Sequence, residues 1–194
     1  MKIDDPFALY ETAFKDDADS IRVLVLEGCM DPGALHPKSG HTPIHLACEA
    51  NSLNAIVALL ALGADPNQKY SKISRVDGRR TLDQTTALAN VVSGEAAELL
   101  ISAGAIVDEI DGEGFTPLAK AAIKRYPAVV EALLNGGADP SRKLSIDGST
   151  ITVAELIDHK IAVLKQTFGD DLNCAQQSYL HELAQIQELL NIKN

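Results

Sequence analysis

Two stretches of this chain are copies of one another. Gly40-His41-Thr42-Pro43-Ile44-His45-Leu46-Ala47 runs through Ala55-Ile56-Val57-Ala58-Leu59-Leu60 to Gly63-Ala64-Asp65-Pro66-Asn67, and Gly114-Phe115-Thr116-Pro117-Leu118-Ala119 runs through Val129-Val130-Glu131-Ala132-Leu133-Leu134 to Gly137-Ala138-Asp139-Pro140. Thr to Gly is 21 residues in both, from 42 to 63 and from 116 to 137. A weaker copy lies between them, with Thr86-Ala87-Leu88 at the Thr-Pro position and Glu98-Leu99-Leu100-Ile101-Ser102-Ala103-Gly104-Ala105 as its second half; Gly104 to Gly137 is 33 residues. A period of this length restricts the chain to architectures in which one short unit stacks on itself.

Each element of the unit answers a local need. Thr42 and Thr116 are suited to cap a first helix by offering a hydroxyl to an orphan N–H, and Pro43 and Pro117 follow at the position where a missing donor costs nothing. Ala47, Ala121 and Ala122 let that helix lie close to its neighbours, while Ile56, Leu59, Leu60 and Val130, Leu133, Leu134 form the apolar stripe of a second helix. One unit cannot bury that stripe alone. Gly63, Gly104 and Gly137 fall just past each second helix, where a left-handed cap suits glycine. Ala8 to Ala13 and Ser20 to Gly28 repeat the two-helix pattern without the Thr-Pro opening.

These motifs resemble the ankyrin repeat over most of residues 6–143. The resemblance implies an all-α solenoid of stacked helix pairs with divergent N- and C-terminal caps and one extended finger loop. The expected single domain divides into an N-terminal capping repeat (1–34), a repeat (35–67), the extended finger (68–84), a degenerate repeat (85–110), a repeat (111–143) and C-terminal cap helices (144–194). His45, at the fourth position of the Thr-Pro opening, is implied by the resemblance to hydrogen-bond around Thr42 and the adjoining finger.

Two departures from the period stand out. Gly63 to Gly104 is 41 residues, about eight more than the period of 33, which places an insertion between Gln68 and Asp83. It alternates Ile73 and Val76 with polar residues around Asp77-Gly78, a pattern compatible with a β-hairpin. It also carries Lys69, Lys72, Arg75, Arg79 and Arg80. The third unit is about two residues short between its helices, a sign of distortion. Beyond Pro140 the pattern decays; Thr152 opens a helix expected to end near Thr167, and Leu180, Leu183, Ile186, Leu189 and Leu190 fall at helical spacing on a closing helix.

Composition narrows the function. The net charge is −10, which repels phosphate backbones and anionic lipid heads, so neither nucleic acid nor membrane is expected as a partner. The acidic start MKIDDPFALYE lacks the apolar core of a secretory signal, and the expected compartment is the cytoplasm. Cys29, Cys48 and Cys174 have no metal or disulfide spacing and are expected to be small buried residues. His181-Glu182-Leu183-Ala184-Gln185 lacks the second imidazole of a zinc-hydrolase motif, and Asp108, Asp111 and Glu113 lack the alternating ligands of a calcium loop. No catalytic set, metal site or cofactor is expected.

The reading that remains is a non-catalytic protein-interaction module, a monomer when free. The resemblance places partners on the concave face and finger tips, naming Lys38, Ser39, His41, Glu49, Glu113, Phe115 and Lys124. Tyr70, Lys72, Arg75, Arg79 and Arg80 of the finger join them, facing an acidic partner surface. Phe115 is expected to face solvent as an aromatic anchor. A narrower alternative is an immunity protein that neutralises one bacterial toxin or enzyme.

Overall fold

The computed structural model describes residues 5, 7–76, 79–146, 149–168 and 172–192, with backbone alone at 71–76, 79–83, 146 and 149. Helices come in consecutive pairs: α1 (Ala8–Phe14) with α2 (Ala18–Leu26), α3 (Pro43–Glu49) with α4 (Leu53–Ala61), a 3-10 helix (Ala87–Asn90) with α5 (Gly94–Ser102), α6 (Pro117–Lys124) with α7 (Pro127–Asn135), and α8 (Val153–Phe168) with α9 (Cys174–Ile192). First helices pack in one row, α1 on α3, α3 and α6 on either side of the 3-10 helix, and α6 on α8. Second helices form the other row, α2 on α4, α4 on α5, α5 on α7 and α7 on α9. The chain is an all-α solenoid.

The core between the rows is aliphatic and small. Ala47, Ala55, Ile56, Leu59, Ala97, Leu100, Leu118, Ala122, Val130 and Leu133 are completely or almost completely buried. Alanines on facing helices permit close axial approach, and Ile and Leu fill the spaces between pairs. Every second helix buries its stripe against the next pair, so the core runs along the stack.

Gly63, Gly104 and Gly137 have φ of 92°, 90° and 93°. At each, the following alanine N–H returns to a carbonyl of the last helical turn, Ala64 to Leu59, Ala105 to Leu100 and Ala138 to Leu133. Only glycine adopts this backbone without a Cβ penalty. The turns that follow are tied side by side. Gln68 Nε2 donates to the Gly33 carbonyl (2.8 Å), Asn67 Nδ2 to Gly104 (3.0 Å), and the Ile106 N–H to Asn67 Oδ1 (2.8 Å). The Asp139 N–H donates to the Asp108 carboxylate (3.1 Å), so side chains align successive turns.

Several local expectations are corrected. Thr116 caps α6 as expected, accepting from the Ala119 N–H (3.2 Å), but Thr42 makes no such bond; its hydroxyl lies 2.7 Å from His45 Nδ1. Cys48 is buried, and burial pushes its thiol pKa up, whereas Cys29 and Cys174 are exposed. In the third unit the first helix is a 3-10 turn of four residues, because Val91 turns extended (φ −63°, ψ 150°) and the chain passes directly into α5. A short strand pair, β3 (Leu144–Ile146) with β4 (Ser149–Ile151), precedes α8. It went unanticipated because three-residue strands are too short to show a period.

Leu133→Ala, removing a fully buried side chain, is expected to cost about 3 kcal/mol. Gly137→Ala, where a Cβ has open space but φ is +93°, is expected to cost about 1 kcal/mol through the backbone alone. Val57→Ala, on the exposed side of α4, should stay within about 0.5 kcal/mol. Urea unfolding of the three variants checks the order.

Candidate recognition surface

The insertion between α4 and the 3-10 helix forms two antiparallel strands, β1 (Tyr70–Val76) and β2 (Arg79–Thr85), in register from Tyr70↔Thr85 to Val76↔Arg79. Their base is fixed to the first-helix row. His45 is fully buried; its Nε2 lies 3.1 Å from the Thr85 carbonyl and its Nδ1 2.7 Å from Thr42 Oγ1. A carbonyl can only accept, so Nε2 carries the proton and Nδ1 accepts from the Thr42 hydroxyl. Tyr70 closes the joint from the other strand. It is buried, stacks on His41 with ring centroids 4.2 Å apart, and meets His45 edge-on at 4.8 Å.

Polar groups around this joint are paired along the row. His41 Nε2 is 3.4 Å from a Glu49 carboxylate oxygen, and the Asn90 amide donates to the same oxygen at 3.4 Å. Asp111 is buried in the turn before α6. One of its oxygens accepts from the N–H groups of Glu113 and Phe115, both at 2.9 Å, and the other pairs with Lys120 on α6. Lys120 Nζ also donates to Thr85 Oγ1 (3.3 Å). The hairpin base is thus held from α3 on one side and α6 on the other.

The residues proposed from sequence divide into two sets. Lys38, Glu49, Glu113 and Lys124 are exposed, and Ser39 is half-buried with its hydroxyl 3.1 Å from His36 Nδ1. Lys72 and Arg75 lie in β1, and Arg79 and Arg80 in β2; their side chains are outside the described residues. The register sets Arg75 opposite Arg80. His41 and Tyr70 are corrections: both are buried in the joint, because a stacked pair at the hairpin base excludes water from the His45 bonds. Phe115 is also corrected, being half-buried against the core rather than solvent-facing. Lys69 pairs with Glu109 of the following turn. The Asp111–Lys120 pair was missed, since nine residues separate its members and neither belongs to a local motif.

Family models for ankyrin repeats match residues 39–71 and 72–143 of the chain. The chain belongs to the ankyrin-repeat family. Ankyrin repeats are generally protein–protein interaction modules and typically non-catalytic. Two curated relatives match part of the chain. The nuclear factor NF-kappa-B p105 subunit of Gallus gallus is 35% identical over 101 residues, 52% of this chain and 10% of that protein. Glycerophosphocholine phosphodiesterase gde1 of Schizosaccharomyces pombe is 30% identical over 95 residues, 49% of this chain and 8% of that protein. The chain thus spans about a tenth of the length of these relatives. Among the described residues no helix of this ankyrin protein is long and apolar enough to cross a membrane, and no group of three metal-ligating side chains occurs.

Burial lowers the His45 pKa from 6.5 to about 4. The unfolded imidazole therefore takes up a proton at a higher pH than the folded one, and stability falls as pH drops from 6.5 toward 4. The expected loss over that window is about 3 kcal/mol from this group. Urea titrations across the window should show a shallower slope for His45→Leu than for the parent. Separately, Lys120→Met leaves Asp111 without its cation in a buried site and is expected to destabilise by about 3 kcal/mol in the same assay.

Proposed function

We propose that this chain is a non-catalytic recognition module that grips an acidic surface of a partner protein between its first-helix row and its basic hairpin. The observation that carries the reading is the anchored base of that hairpin. Tyr70, His41, His45 and Thr85 are buried together, so the strands that bear Lys72, Arg75, Arg79 and Arg80 start from a fixed position. Anchoring lowers the entropy lost when a loop docks, which is how a rigid scaffold makes loops useful for binding.

Arg75 and Arg80 stand opposite one another in the ladder, an arrangement of like charges that costs free energy in the isolated hairpin. A carboxylate-bearing partner relieves that cost on docking. Exposed Lys38, Glu49, Glu113 and Lys124 and half-buried Phe115 add further contacts along the row in this reading. The partner's identity, once captured, separates a scaffold component from a toxin or enzyme held by a dedicated inhibitor.

Affinity capture with the full chain, followed by titration of the recovered partner, tests the proposal. The triple variant Arg75→Glu, Arg79→Glu, Arg80→Glu is expected to weaken binding by at least about tenfold, mainly in the association rate and its salt dependence. Its Tm should match the parent's within about 2 °C, since the buried anchor at Tyr70, His41, His45 and Thr85 is left intact. Unchanged affinity would remove the hairpin from the interface.

A further inference from the structure

Strand pairing assigns the residues of the hairpin to its two faces. The register runs unbroken from Tyr70↔Thr85 to Val76↔Arg79, so successive residues alternate between faces and directly opposed partners share one. Tyr70↔Thr85, Lys72↔Asp83 and Val76↔Arg79 fall on one face; Ser71↔Gln84, Ile73↔Leu82 and Arg75↔Arg80 fall on the other. Described side chains at the base distinguish the two. Tyr70 is buried and stacks on His41, and buried Thr85 accepts from Lys120 Nζ on its hydroxyl (3.3 Å), so their face is seated on the first-helix row. Gln84, next to Thr85 in β2 and on the opposite face, is exposed.

Charge and hydropathy divide along the same line. On the seated face Lys72 stands opposite Asp83, one cation matched by one anion. The opposite face sets two arginines directly across from one another, with the aliphatic pair Ile73↔Leu82 two positions nearer the base, and none of its register positions holds an acid. Asp77 lies in the connection beyond the last pair, outside the described residues; counted with this face, it would still leave a positive charge. Around the base, Glu109 pairs with Lys69, Asp111 with Lys120, and Glu49 lies against His41 and Asn90.

Opposed residues of an antiparallel pair stand about 5 Å apart, close enough for two arginines to share one carboxylate. Rows two residues apart are separated by about 6.6 Å at roughly 3.3 Å per residue. We infer that the face bearing Arg75, Arg80, Ile73 and Leu82 sets the hairpin's specificity, for a protein surface that presents a carboxylate with an aliphatic side chain about 7 Å away. The inference rests on the reading of the hairpin as the recognition element, and a partner lying along the row meets this face by closing over the strands. An aliphatic contact beside the ion pair excludes water from it, which charge alone does not do. An anionic bilayer offers similar chemistry, but the chain's net charge of −10 opposes it.

Two double variants of the full chain separate the faces at equal charge: Arg75→Ser with Arg80→Ser, and Lys72→Ser with Arg79→Ser. Each removes two positive charges, so long-range attraction falls alike and only the face differs. The probe is a labelled synthetic peptide with glutamate and leucine two positions apart among threonines, followed by fluorescence anisotropy, with methyl chemical shifts of Ile73 and Leu82 locating the contact. The Lys72 and Arg79 variant is expected to bind within about threefold of the parent, and the Arg75 and Arg80 variant at least about tenfold more weakly. Ile73→Thr with Leu82→Thr, which keeps strand-forming residues, should lose about fivefold. A lysine-for-glutamate peptide should bind at least about tenfold more weakly. Unchanged amide signals of Tyr70 and Thr85 show the base intact in each variant; where serine disturbs them, glutamine at the same positions gives the comparison. Absence of saturable binding, or equal losses in the two charge variants, would overturn the face assignment, the second outcome leaving the hairpin in the interface. Binding indifferent to both would remove the hairpin itself, the failure of the broader reading. Capture by phosphatidylserine vesicles that the Arg75 and Arg80 variant abolishes would overturn the proposal by assigning the face to a membrane.

Discussion

Burial of each second helix's aliphatic stripe against the next pair is the interaction on which everything else in this molecule depends. No helix of the central pairs exceeds nine residues, and isolated helices that short are not stable in water. Their persistence comes from neighbours on both sides. Leu59, Leu100 and Leu133 occupy the same place in three successive units, each fully buried, and each is followed by the glycine turn that sends the chain outward. A core arranged as a line rather than a ball leaves long faces of the stack uncovered, and substitutions on those faces do not disturb the packing behind them.

The hairpin obeys a different constraint. A two-stranded ladder is marginal by itself, so one that serves as a recognition element needs an anchor. Here the anchor is polar and specific. The Thr85 carbonyl, accepting from Nε2–H, fixes the His45 tautomer, Nδ1 then accepts from the Thr42 hydroxyl, and Tyr70 and His41 seal the site from water. The same joint ties the hairpin's anchorage to pH, because protonating His45 would take away the acceptor for Thr42 and place a charge in a buried site. Lys120 reaches Thr85 from the far side, so two neighbouring repeats position one finger.

The repeat was legible in the sequence because its signals are local: a threonine before a proline, a glycine 21 residues on, and alanines and leucines at helical spacing. The fate of individual side chains was less so. Thr42 looks like Thr116, yet only Thr116 caps its helix, since His45 competes for the Thr42 hydroxyl and Ala119 offers no such partner. Tyr70 and His41 read as exposed because finger residues generally are; their burial depends on each other, across 29 positions of sequence. The ion pair of Asp111 and Lys120 and the strands at 144–151 were hidden for the same reason. Long-range pairing leaves no periodic trace.

Charge then determines how such a body approaches a partner. Residues 68–85 hold five Lys and Arg against Asp77 and Asp83, a net of +3, so the remainder of the chain carries −13 to reach the total of −10. An acidic partner is repelled by the body and attracted by the finger. At physiological ionic strength the Debye length is about 8 Å, whereas the pair Val76↔Arg79 lies six residues from the hairpin base, about 20 Å along the strands at roughly 3.3 Å per residue. Screening therefore separates the two contributions, and the finger's field acts on a partner before the body's repulsion is felt. Lowering the salt reverses the advantage, because the body's larger charge then reaches past the finger. A basic hairpin can act on an acidic solenoid, as proposed here, because its length exceeds the distance over which the solenoid's own charge persists.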